Sequence, residues 1–157
     1  MTRWALAILL LAAGAASAGE LVWQSLGSLG GGDRVLAEQT LFEMWGDNPD
    51  FWPDWIDPAA LYVPAGGNRL LIVRRPLHAP CGQYGFALFS PLTPDRRRDK
   101  IGDFCGGDLS VIAVPGLDWP DLLVMEGRLP DSDGLWRRLD QRLRWRDGKW
   151  VRILKAE

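Results

Sequence analysis

The chain has 157 residues with 18 Lys and Arg against 20 Asp and Glu, a net charge of −2 at pH 7. This mild acidity argues against nucleic acid as a partner, because such domains carry clustered positive charge. With two cysteines and one histidine, it also leaves little material for a metal site, and no cofactor motif is present.

Residues 1–18 read as a secretory signal peptide. Arg3 supplies the positive charge, Trp4 to Ala16 is apolar, and Ala16-Ser17-Ala18 is the small-x-small pattern that a signal peptidase cuts. The run is too short for a stable membrane span, which needs about 20 apolar residues. The expectation is therefore Sec-type export to the periplasm or medium of a bacterium, with residues 19–157 as one globular domain. These 139 residues suffice for a single hydrophobic core. Cleavage moves the net charge to −3 and leaves eight of nine tryptophans. The 15 arginines against three lysines are read as codon bias of a GC-rich genome.

Gly27 to Gly32 reads as a flexible stretch, because no strand-to-helix phosphate motif accompanies it. Asp33 is placed to cap a helix running to about Trp45, with Val35, Leu36, Leu41, Phe42 and Trp45 at spacings that share one face. Residues 46–58 contain three prolines and exclude a regular element. Asp57-Pro58 is expected to start a short helical turn over Ala59 to Leu61.

Strands are expected from there on: Arg69–Arg74, Gln83–Ser90, Leu109–Val114 and Asp121–Glu126, separated by prolines and glycines. Arg96-Arg97-Arg98 reads as a solvated turn. Arg142 to Arg146, Asp147-Gly148 and Lys149 to Ile153 form the clearest unit. A two-residue Asp-Gly loop suits a type I′ turn, which sets Trp145 opposite Trp150 and Arg146 opposite Lys149. Cys81 and Cys105 make an even pair in an oxidising compartment, so a disulfide is expected. Closing a loop of about 25 residues stabilises by roughly 3 kcal/mol. The expected fold class is α+β: a mainly antiparallel sheet of five to seven strands with one N-terminal helix, stapled by that disulfide.

Trp119-Pro120-Asp121-Leu122-Leu123-Val124, followed by Leu143 to Val151 and preceded by Cys81-Gly82 and Cys105-Gly106, resembles the C-terminal part of many small exported bacterial proteins of unknown function. In these a Pro-Asp-Leu strand precedes an aromatic-Asp-Gly-x-aromatic hairpin. The resemblance covers about residues 81–153 and implies a β-rich extracytoplasmic domain, without an activity. The Pro-Asp-Leu strand also resembles FG-GAP-type propeller blades, whose calcium loop carries three carboxylates. Asp131-Ser132-Asp133-Gly134 has two, which reads as a surface turn.

Candidate chemistry is sparse. His78 is the single histidine, and no serine sits in a Gly-x-Ser-x-Gly elbow. Glu43, beside Met44 and Trp45, is the least implausible glycosidase acid, although a helix position there is more simply solvated. The most unusual segment is 45–57. Trp45, Phe51, Trp52 and Trp55 alternate with Asp47, Asp50, Asp54 and Asp57, with no basic residue between them. The C-terminal run holds Arg142, Arg144 and Arg146 among eight basic residues, net +6 between Leu135 and Lys155. Docking of the two within one molecule is expected, by guanidinium stacking and pairing. The binding candidates are thus Trp45, Phe51, Trp52, Asp54, Trp55, Arg142, Arg144 and Arg146. No catalytic or metal-ligating set is assigned. The expected function is a non-enzymatic exported binding protein, inhibitor- or immunity-like, contacting another protein through the Trp/Asp-rich loop. A cell-wall or glycan-binding module is the alternative, and a hydrolase the third.

Overall fold

The structure is a computed structural model, and it describes residues 21–45, 58–76, 83–130 and 136–153. In chain order these form β1 (Gln24–Ser25), a 3₁₀ turn (Leu26–Ser28), α1 (Gly31–Trp45), β2 (Ala59–Ala65), β3 (Asn68–Pro76) and β4 (Tyr84–Phe89). There follow β5 (Lys100–Gly106), β6 (Asp108–Ile112), β7 (Asp121–Pro130), β8 (Trp136–Arg146) and β9 (Lys149–Ile153). The fold is α+β, and within each sheet the strands pair antiparallel with their sequence neighbours. The expectation of five to seven strands in one sheet is corrected: the described residues hold nine, in sheets of five (β1 to β5) and four (β6 to β9).

Two apolar layers explain the architecture. Leu61, Val63, Leu70, Ile72, Phe86 and Leu88 of the first sheet pack against Leu109, Leu122, Val124 and Leu143 of the second. On the other face of the first sheet, Ala60, Leu71, Val73, Ala87 and Phe89 meet Leu26, Leu29, Ala37 and Leu41. The order is helix, sheet, sheet, and the middle sheet is buried on both faces. Its strands accordingly read as continuous apolar runs. This corrects the expected helical turn at Ala59–Leu61. Ala59, Ala60 and Leu61 are all buried in β2, where two-sided burial overrides the helix preference of alanine.

The chain crosses between sheets at Gly106 and Gly107. A Cβ on Gly106 would lie 2.5 Å from the Met125 carbonyl oxygen, and the Gly107 N–H donates to that same oxygen at 2.7 Å. Only glycine permits this approach. The expected hairpin is found in the expected register, Trp145 opposite Trp150 and Arg146 opposite Lys149. Asp147 (φ 51°) and Gly148 (φ 77°) have the positive angles that a type I′ turn requires.

The helix begins at Gly31, before Asp33, so Asp33 lies in its first turn and is not its cap. Leu41 is buried and Leu36 half-buried, whereas Val35 is 56 % exposed and does not share the apolar face. The face is instead completed by Ala37 and Thr40, whose hydroxyl donates to the Ala37 carbonyl at 2.8 Å.

Candidate functional site

Asp33 is freed from capping for a longer-range task. Its carboxylate accepts from Arg98 Nε at 2.8 Å and Nη2 at 3.1 Å, and from the Tyr62 hydroxyl at 2.7 Å. Arg98 Nη1 also donates to the carbonyls of Arg69 (2.7 Å) and Ser90 (2.8 Å). One guanidinium, its side chain 3 % exposed, thereby ties α1, β2, β3 and the end of β4 to the loop before β5. The expectation that Arg96-Arg97-Arg98 is solvated holds for the first two and fails for Arg98. The reason is geometric, because a planar donor fork can satisfy a carboxylate and two carbonyls at once.

Burial alone would raise the Asp33 carboxyl. The hydrogen bonds from Arg98 and Tyr62, with the charges of Arg98 and Arg69, outweigh it and hold the group below its ordinary value. Burial, and then the hydrogen bond to Asp33 and its negative charge, push the Tyr62 hydroxyl up to about 12. Both shifts favour the charge state that the contact needs, so neither group is poised for proton transfer near neutrality.

Beside this hub lies a cleft of about 490 Å³, lined by Gly30, Gly32, Leu36 and Leu92 together with Asp33, Arg96, Arg97, Arg98 and Asp99. Its loop wall is rigidly built. Ser90 N–H donates to the Asp99 carbonyl at 2.8 Å, and Asp99 N–H to Ser90 Oγ at 2.9 Å. Thr93 and Arg97 exchange N–H···O bonds at 3.0 Å, and Arg96 N–H donates to the Thr93 carbonyl at 2.9 Å. This closure forces Arg96 to φ 60°, a left-handed conformation unusual for arginine. The opposite wall is open, since a Cβ on Gly30 or Gly32 would meet nothing within 4 Å.

A second charged cluster sits on the outer face of the second sheet. Asp121 is fully buried and accepts from Arg142 Nε (2.7 Å), Arg144 Nε (2.8 Å) and Arg144 Nη2 (2.9 Å). Burial opposes ionisation here as well, yet the hydrogen bonds and charges of Arg144 and Arg142 hold its carboxyl below the ordinary value. Two of the expected binding arginines are therefore engaged by a carboxylate of the neighbouring strand. Arg146 is exposed at the hairpin, opposite Lys149.

Three indoles gather at the end of the sandwich. Trp145 stacks on Trp119 at 4.7 Å between ring centroids and 12° between planes. Trp150 meets both edge-on, at 5.3 Å from Trp145 and 6.0 Å from Trp119. The Trp145–Trp150 pair was legible from the hairpin register, but Trp119 comes from the loop before β7. That loop docks through the Gly66 N–H, which donates to the Asp118 carbonyl at 2.9 Å.

The other expected sites are placed as follows. The backbone of Trp45 ends α1, while its side chain and Phe51, Trp52, Asp54 and Trp55 lie outside the described residues. So do His78 and Cys81. Cys105 is half-buried in β5 and is not a free thiol. Glu43 is solvated, 66 % exposed with Lys100 at 4.0 Å. A second cleft, about 410 Å³, is lined by Asp108, Glu126 and Asp140 near the β7 bulge. Among the described residues no group of three or more His, Cys, Asp or Glu is placed to hold a metal ion. No helix among them is long and apolar enough to cross a membrane.

No protein-family model matches the chain, and neither a curated protein nor a solved structure matches it.

Proposed function

We propose that this chain is an exported, non-enzymatic binding protein of the periplasm or medium, which contacts another protein in an inhibitor- or immunity-like role. The observation that carries this reading is the cleft between α1 and the β4–β5 loop. It combines apolar side chains, Leu36 and Leu92, with a hydrogen-bonded loop that holds Arg96 and Arg97 at the surface. Such a preformed mixture of apolar and charged groups suits recognition without folding on contact. The half-buried Asp33 and the buried Asp121 support the same reading, because each is held ionised by arginines. A hydrolytic acid would need the opposite shift.

Export after Ala18 and a Cys81–Cys105 disulfide belong to the proposal, as does a contribution of the Trp/Asp-rich segment to the contact. The test uses the full chain, expressed with a C-terminal tag and recovered from the extracytoplasmic fraction after crosslinking. A stoichiometric protein partner is expected, with the mature mass beginning at Gly19. The partner should be lost on Trp52→Ala if that segment contributes. Sedimentation with purified peptidoglycan in place of a protein partner would replace this reading by the cell-wall alternative.

A further inference from the structure

We infer that α1 is a latched flap: it swings out as a unit about Gly30–Gly32, with Asp33 as its latch, while both sheets stay folded. The device needs no partner and goes beyond the binding role proposed above. The hinge is the first ground. Leu26 and Leu29, just before the glycines, are buried against the first sheet and stay with it. A Cβ at Gly30, Gly31 or Gly32 would meet nothing within 4 Å, so no neighbour crowds the chain there. Gly31 stands at φ 42°, a region that glycine enters and leaves without steric cost.

The latch is the second ground. Asp33 is the first side chain after the hinge, so its tie to Arg98 and Tyr62 fixes the helix axis at its root. Beyond it, the seat of α1 on the first sheet is small: Ala37, Thr40 and Leu41 are buried, and Leu36 and Phe42 half-buried. Near the far end, Glu43 reaches Lys100 only at 4.0 Å, and that ammonium lies closer to Asp103, at 2.7 Å. The cleft runs along the same seam, so open space separates the helix root from Leu92 and the arginine loop on either side of the latch.

Opening uncovers Ala60, Leu71, Val73, Ala87 and Phe89 and takes away one wall of the cleft. The closed form therefore carries the cleft, and the open form an apolar face. The sheets survive because the core between them, around Ile72, Phe86, Leu122 and Val124, lies on the side away from α1. A freed helix of 15 residues is marginal in water, so its amides exchange once the flap opens.

The test is native-state hydrogen exchange of the purified protein across a series of low urea concentrations, read for residues 35–43 of α1 and for β7 and β8. The helix should exchange faster than the strands and with a shallower urea dependence, because its opening exposes little surface. Asp33→Asn should speed α1 exchange about tenfold or more, and Tyr62→Phe, the milder change, about threefold. Asp121→Asn should speed β7 and β8 exchange about tenfold or more yet leave α1 within about twofold, since the open form keeps the Asp121 ion pairs. Matching urea slopes for α1 and the strands, or an Asp121→Asn effect that reaches α1 undiminished, shows one cooperative unit and overturns the inference. So does α1 exchange that ignores both Asp33→Asn and Tyr62→Phe.

Discussion

Asp121→Asn isolates the energetic weight of a fully buried carboxylate between two arginines. The substitution keeps shape and one acceptor oxygen but removes the charge that Arg142 and Arg144 face. Breaking a buried pair costs about 3–5 kcal/mol, because the surviving charge is uncompensated. Arg142 retains 27 % exposure and Arg144 12 %, so water recovers part of this, and we expect a loss of about 2–3 kcal/mol. For a domain of this size that lowers Tm by roughly 5–10 °C. Urea titration at pH 7, followed by tryptophan fluorescence, measures it as a shift in midpoint at unchanged slope. The pH dependence gives a second reading. The native carboxyl is depressed, so the unfolded state binds the proton more readily. The contribution is complete above the unfolded value, near 3.9, and disappears as pH falls through the lower native one. Wild type and variant should therefore converge in acid. A difference under about 0.5 kcal/mol at pH 7, or one that persists undiminished in strong acid, refutes the reasoning.

Other outcomes follow from the same geometry. Gly106→Ala drives a Cβ against the Met125 carbonyl and Val124 Cγ1, and should cost about 1–3 kcal/mol in a urea titration. Gly32→Ala meets open space within α1 and should leave stability unchanged or raise it by up to about 1 kcal/mol, read the same way. In a Tyr84→Phe variant, absorbance at 295 nm should report Tyr62 ionising near pH 12, and Asp33→Asn should move that midpoint down. Because the folded value is the raised one, the Tyr62 contact stabilises fully below about pH 10 and is lost as pH rises through 12. Trp119→Leu should weaken the far-ultraviolet exciton couplet of the indole cluster, leaving the part due to the Trp145–Trp150 pair, while the cooperative urea transition is kept.

Local patterns carried much of the fold. Asp147-Gly148 dictated its turn and, through it, the pairing of Trp145 with Trp150 across one face. The strands around Ile72, Phe86 and Leu122 were legible as an apolar run, an alternation of aromatic and small residues, and a β-rich segment ended by glycine. Residues 59–61 did not, because alanine suits a helix and only burial between α1 and the second sheet makes it a strand. β5 escaped notice for a related reason: Lys100-Ile101-Gly102-Asp103 shows neither alternation nor an apolar run, and its pairing with β4 supplies the order.

The charged residues divide in the same way. Composition and the N-terminal pattern determined the expected compartment, the mild acidity and the scarcity of catalytic groups, since these are properties of residue identity. Which arginine is buried was decided by tertiary structure alone. Arg96, Arg97 and Arg98 are indistinguishable in sequence, yet one is locked by Asp33, 65 positions away, and the others face solvent. Arg142 and Arg144 likewise looked like a free basic patch until the strand register set them over Asp121. Partnership over such separations depends on where the backbone carries each side chain, and no local pattern encodes that.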